Sequence, residues 1–157
     1  KNLNAKINLS VGDITNIDEL NNLYLSLSID EGNLNFSNSN IMWKEDLKIT
    51  LTESLLIHDQ NEINLNGKMI LEFKNSENFY KSFQIKKNHR KDIKQIHLDF
   101  VYNFNQQKII FDNILIDNNQ NINIESFVKN YNVNNNKIFN KITFKNFVNN
   151  FFSAYAG

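Results

Sequence analysis

Residues 47–73 read LKITLTESLLIHDQNEINLNGKMILEF. Apolar and polar residues alternate in both halves, as Leu47-Ile49-Leu51 and then Ile63-Leu65-Met69-Leu71-Phe73. Successive side chains of a strand point to opposite faces, so alternate positions share one face. The polar run Asp59-Gln60-Asn61-Glu62 turns the chain back between the halves. The stretch therefore predicts two long antiparallel strands with a common apolar face. The first carries Leu47, Ile49, Leu51, Leu55 and Ile57 on that face, with Thr50, Thr52, Ser54 and His58 opposite. Gly67 interrupts the apolar face of the second, where a glycine marks a bend or a close approach by other backbone.

The same rhythm recurs on either side. Leu3 to Ser10 places Leu3, Ala5, Ile7 and Leu9 on one face, and Val11-Gly12-Asp13 reads as a turn. Asn16 to Asn22 has the composition of one helical turn. Leu23-Leu25-Leu27-Ile29 alternates strictly, and Glu31-Gly32-Asn33 has hairpin chemistry. The return strand begins at Leu34-Asn35-Phe36, loses phase across Ser37-Asn38-Ser39-Asn40 and regains it at Ile41 and Trp43, which predicts a one-residue bulge. Further along, Ile96-Leu98-Phe100-Tyr102-Phe104 alternates again. A hairpin at Asn105-Gln106-Gln107 leads into Lys108 to Asp117, apolar in both phases and so either doubly buried or bulged.

Helical periodicity enters at two places. Asn75 or Ser76 caps a short helix over about Glu77 to Gln84, with Phe79 and Phe83 four residues apart. Beyond Asn118 the character changes. Ile122 to Tyr131 reads as a helix capped by Asn121 or Asn123, and Asn134-Asn135-Asn136 as a linker. Phe144, Phe147, Val148, Phe151, Phe152 and Tyr155 form a helical stripe, with Thr143 the expected N-cap and Gly157 just past the end. Such a stripe needs a surface to lie on, either the sheet or the end of a groove. The expected fold is mainly β (α+β): an antiparallel curved β-sheet of long meandering strands with a short mid-chain helix and C-terminal helices. Residues 1–118 form the sheet, with its helix near 77–84, and residues 119–157 form a helical segment packing on or capping it.

Composition limits function. The 157 residues carry 17 basic and 17 acidic side chains, so no global field selects nucleic acid or an anionic membrane. Lysine and arginine gather locally between Lys81 and Lys94, where only Asp92 opposes them. Lys86, Lys87, Arg90 and Lys91 are the headgroup-contact candidates there; a solvated loop is the plainer reading. The absence of Cys excludes disulfides and thiolate chemistry, and the absence of Pro leaves every strand ladder uninterrupted. No apolar run is long enough to span a membrane. The chain opens on Lys1-Asn2-Leu3 without Met and inside a strand pattern, which reads as a fragment of a longer protein.

No phosphate loop, dinucleotide fingerprint, nucleophile elbow or HExxH is present. His58, His89 and His97 have no partners at metal-ligand spacing, and no metal or cofactor is expected. His97 and Asp99 share a strand face, as alternating polar residues often do, and no catalytic residue is assigned. The working surface is instead the apolar face holding Leu23, Leu25, Leu27, Leu47, Ile49, Leu51, Leu65, Met69, Leu71, Leu98 and Phe100.

A family likeness rests on the order of these elements. "ITNIDELNNLYLSLSIDEGNLNF" from Ile14, then "LKITLTESLLIHDQNEINLNGKMILEF", then the short helix "SENFYKSFQI" and the closing "NKITFKNFVNNFFSAYAG" together resemble the C-terminal region of AsmA-like proteins. The resemblance implies a non-enzymatic part of a periplasmic protein of Gram-negative bacteria. Such a protein is anchored in the inner membrane by an N-terminal helix outside this sequence. Its implied partner is a phospholipid or other acyl-chain lipid held in an apolar β-groove, with no nucleic acid, in lipid transport or outer-membrane biogenesis. The alternative is a structural or adhesive envelope domain whose apolar face is closed.

Overall fold

The computed structural model describes residues 4–15, 19–30, 33–59, 61–134 and 138–157. Among the described residues eight strands form one antiparallel sheet: β1 (Ala5–Asp13), β2 (Leu20–Asp30), β3 (Asn33–Asn35), β4 (Asn40–Trp43), β5 (Leu47–Asp59), β6 (Glu62–Phe73), β7 (Gln95–Asn103) and β8 (Lys108–Ile116). They lie in sequence order, with β3 and β4 sharing one lane between β2 and β5, so the sheet is a seven-lane meander. The helices are α1 (Ser76–Phe83), α2 (Ile122–Asn134) and α3 (Lys141–Ala156), with a 3-10 turn at Lys87–His89.

The pairing register carries one apolar face across all seven lanes. Ile49 stands beside Leu71, Leu71 beside Ile96 and Ile96 beside Ile116. Ile29, Leu34, Leu56, Leu65, Tyr102 and Ile109 make a second row, each beside the next. Leu9 beside Leu25 and Ile7 beside Leu27 extend the face to β1. Side-chain phase alone would not achieve this, because three strands lose step and the β3–β4 lane is broken on the way.

Each loss of step is absorbed by a residue with positive φ. Asn22 (φ 48°) sits at the β2 bulge opposite β4, Asn38 (φ 69°) between β3 and β4, Glu53 (φ 49°) in β5 and Asn113 (φ 47°) in β8. The expected irregularity at Ser37–Asn40 is thus a break in the strand. Serine hydroxyls bridge the strands there. Ser39 Oγ accepts from Ser26 N (3.0 Å) and donates to Ser26 O (3.2 Å), and Ser37 Oγ accepts from Ser54 N (3.0 Å). The double phase of Lys108 to Asp117 resolves as a bulge, with Ile114 and Ile116 inward and Ile110 exposed.

The β5 bulge overturns one expectation. Thr52 pairs with Lys68 but Leu55 with Asn66, so Glu53 and Ser54 together face Gly67. Leu56 therefore joins Leu65 on the apolar face, while Leu55 and Ile57 turn to the other side. Ser54, expected on the polar side, is fully buried, and an ideal Cβ at Gly67 would lie 2.3 Å from its Oγ. Gly67 is the notch that admits the bulge, which is the close approach its position implied.

Other boundaries also shift. Val11-Gly12-Asp13 is strand, not turn, because Val11 pairs with Leu23 and Asp13 with Asn21. The expected helical turn at Asn16–Asn22 lies partly outside the described residues, and its last part, from Leu20, is strand. Most of the Glu31–Asn33 hairpin loop and of the Asn134–Asn136 linker also lies outside them.

The helices form where caps and apolar spacing coincide. Asn75 Oδ1 accepts from Asn78 N (3.0 Å) at the start of α1, and Gln84 ends it in the left-handed region. Asn121 Oδ1 caps α2 through Asn123 N and Ile124 N. The α3 N-cap is Asn140, not Thr143; Thr143 is the third residue of a capping box, its Oγ1 accepting from Asn140 N (2.8 Å). All three helices pack on the apolar face, centred on β7 and β8, where Ile96, Leu98, Phe100, Ile109, Phe111, Ile114 and Ile116 are buried.

The two sheet edges differ. At β8, the Asn132 side chain of α2 accepts from Phe111 N (3.1 Å) and donates to Phe111 O (2.6 Å), as a partner strand would. At β1, Ile7 and Leu9 remain 54% and 48% exposed.

Candidate apolar groove

The sequence-assigned wall is brought together by pairing. Leu47, Ile49, Leu51, Leu65, Met69, Leu71, Leu98 and Phe100 lie on the face that meets the helices, and Leu23, Leu25 and Leu27 continue it beside β1. Coverage divides it. Leu47, Leu98 and Phe100 retain 3%, 6% and 5% of their surface under the helices. Ile49, Leu51, Leu65, Met69 and Leu71 are half-buried, as are Leu23, Leu25 and Leu27 of β2.

Between the sheet and the helices lies a cavity of about 340 Å3. Every side chain lining it is apolar, from Leu20, Ile41 and Trp43 on one side to Ile109 and Phe111 on the other. Its roof is aromatic. Trp43 and Phe83 have ring centres 5.1 Å apart, Phe83 and Phe79 4.5 Å, and Phe83 meets Phe144 edge-on at 5.7 Å. On the far wall Phe147 stacks on Phe111 at 4.7 Å. Such pairs contribute about 0.5–1.5 kcal/mol each beyond area burial, so the roof is a packed layer that still leaves a void. Leu20, Ile41, Trp43 and Phe144 are only half-buried, and Leu20 and Ile41 belong to β2 and β4, where the cavity meets the less covered lanes.

Polar groups flank this mouth. Lys141 Nζ reaches Glu19 Oε1 at 3.1 Å, joining the start of α3 to the start of β2. That hydrogen bond, first, and the charges of Lys141 and Lys44 hold the Glu19 carboxyl below its ordinary pKa. Lys44 donates to Ser82 Oγ (3.3 Å) and Lys145 to Gln84 Oε1 (3.0 Å), both at the end of α1. None of these lysines was singled out from the sequence. The available signal was their position: Lys44 follows Trp43, and Lys141 and Lys145 flank Phe144.

The basic loop is more committed than its composition suggests. Arg90 donates to Ile85 O (2.9 Å) and pairs with Glu77 (2.7 Å). Lys91 donates to Tyr155 O at the end of α3 (3.1 Å) and lies 5.2 Å from the Tyr155 ring, a cation where the helix dipole favours one. Lys86 and Lys87 are exposed. Nearby, the Tyr80 hydroxyl donates to Lys91 O, and burial pushes its pKa up.

Asp99 accepts from Asn113 (2.7 Å), and the buried Nε2 of His97 has no hydrogen-bond partner, so these two atoms do not make the pair their spacing allowed. Among the described residues no three His, Cys, Asp or Glu groups gather as metal ligands, and no helix is long and apolar enough to cross a membrane. A larger cleft of about 630 Å3 runs along the β8 edge beside α2, its walls mixing Asp112, Glu125 and Lys129 with Ile110 and Val128. Phe111 and Ile114 line both this cleft and the apolar cavity.

The chain matches no family model, no curated protein and no solved structure. The functional reading therefore rests on the groove itself.

Proposed function

We propose that this chain is a non-enzymatic lipid-handling part of an AsmA-like periplasmic protein, in which the apolar β-groove shields acyl chains during phospholipid transport or outer-membrane biogenesis. The observation that carries the reading is the wholly apolar cavity opening onto uncovered apolar lanes. A methylene moved from water into such a site contributes about 0.8 kcal/mol, so ten would supply roughly 8 kcal/mol before ordering costs. The cavity volume is near the lower end of the roughly 300–1,000 Å3 of small-molecule sites. It accommodates part of one alkyl chain, and the rows on β1 to β3 accommodate the rest.

The test is native mass spectrometry of the purified chain with lipid extraction, followed by titration with a fluorescent fatty acid. Co-purifying phospholipid and saturable displacement are expected. A clean apo mass with no fatty-acid binding overturns the proposal. That outcome favours the second reading, a closed structural or adhesive domain, which the deep burial of Leu47, Leu98 and Phe100 supports.

A further inference from the structure

The groove mouth has a charge. Three lysines and one glutamate surround the point where the cavity meets the open lanes. The Lys44 backbone N donates to the Glu19 backbone O (2.6 Å) and Lys141 Nζ to the Glu19 carboxylate Oε1 (3.1 Å), which ties residues 44 and 141 to the start of β2. Lys145 lies one turn beyond Lys141 on α3. Glu19 neutralises one ammonium. The other two rest on the neutral oxygens of Ser82 and Gln84, either side of Phe83, whose ring lines the cavity. Glu45, beside Lys44 in the turn, is exposed to solvent. Neutral partners are surrendered at little cost to a charged acceptor, because charge-assisted hydrogen bonds are roughly twice as strong. On the basic loop, Arg90 and Lys91 are already held by Glu77 and the end of α3.

We propose that the groove is selective for acyl-chain lipids with an anionic head group, the chain lying in the cavity and the head held by Lys44 and Lys145 at its mouth. This rests on the groove reading above and adds the head-group charge and the direction of insertion. A chain entering past Leu20 and Phe144 leaves its head beside these two ammoniums, whose partners Ser82 and Gln84 stand just before the basic loop.

Trp43 is the single tryptophan and lines the cavity, so its fluorescence reports occupancy directly. The full chain is titrated with three twelve-carbon ligands below their micellar concentrations: dodecyl phosphate, dodecyl maltoside and dodecyltrimethylammonium. Dodecyl phosphate should bind about tenfold more tightly than the neutral ligand at low salt, and the advantage should shrink as salt rises. The double variant Lys44→Gln/Lys145→Gln should lose that advantage while keeping the affinity for dodecyl maltoside. Lys87→Gln, on the basic loop, should behave as the parent chain. Equal affinity for all three heads, an unaffected double variant, or loss of the preference in Lys87→Gln overturns this inference and leaves the groove reading standing. Failure of all three ligands to bind overturns the groove reading as well.

Discussion

Replacing Gly67 by alanine should destabilise the protein, against the usual direction. Glycine in a strand interior is ordinarily worse than alanine by roughly 0.5–1 kcal/mol, because the unfolded chain has more freedom to lose. At this position the new Cβ would lie 2.3 Å from Ser54 Oγ, 2.9 Å from Ser54 Cβ and 3.1 Å from Ser54 Cα. Rotating the hydroxyl away relieves only the first contact and breaks its bond to Thr52 O (3.0 Å). Overpacking of this kind costs about 1–3 kcal/mol and the hydrogen bond about 1 more, so a net loss of about 2–3 kcal/mol is expected. In a chain of this length that lowers the melting temperature by roughly 4–12 °C. Urea denaturation gives the free energy, and Ser54→Gly supplies the control. It removes Oγ and Cβ, leaving only the 3.1 Å contact, so the double variant should recover at least about 1 kcal/mol relative to additivity. A neutral or stabilising Gly67→Ala, or strict additivity with Ser54→Gly, would show that the bulge does not depend on this notch.

Three further outcomes follow from the same geometry. Asn132→Ala removes both bonds that close the β8 edge at Phe111, so it should cost about 1–3 kcal/mol in urea and, by baring the edge, promote concentration-dependent association visible by light scattering. Val148→Phe adds bulk to the cavity wall; it should weaken alkyl-ligand binding measured through Trp43 while altering stability by about 1.5 kcal/mol or less, since the void receives the ring. Glu19 titrates lower in the folded than in the unfolded chain, so its contribution to stability is present above the ordinary glutamate value and lost as pH falls through the lower folded value. The stability difference between the parent and Glu19→Gln should therefore be present at pH 7 and vanish in acid, as denaturation at the two pH values would reveal.

The strands were legible because alternation is a local property that pairing only has to preserve. Face assignment was legible only where no residue was inserted. Leu55-Leu56-Ile57 is apolar in every phase, so nothing in that run says which of the first two points inward. The decision is made on the next strand, by the missing side chain of Gly67, and a reader of β5 alone must get it wrong. Serines 37, 39 and 54 hid for a related reason. Hydroxyls that substitute for ladder bonds are spelled like those that face water. Asn132 was equally silent, being one asparagine among many. At the site, the wall could be named from periodicity, but its mouth is made by residues 19, 44, 141 and 145, which are brought near one another only when the start of α3 meets the start of β2 and the end of α1.

The division of that wall has a geometric cause. Seven lanes at about 4.8 Å spacing span roughly 29 Å between the outer strands, whereas a helix with its side chains is about 10–12 Å across. Two long helices side by side cover roughly 20–24 Å, and α2 spends part of its width closing the β8 edge through Asn132. The short α1 roofs only the end near Trp43 and Phe73. The helices, centred on β7 and β8, therefore reach β2 and β4 only around Leu20 and Trp43, and leave Leu23, Leu25 and Leu27 half-buried. The leucines there continue the buried rows in register, so the covered and open parts are one surface. Apolar area of this extent is stabilised only when something removes it from water, and a flexible chain entering from the Leu20 side would contact both parts at once.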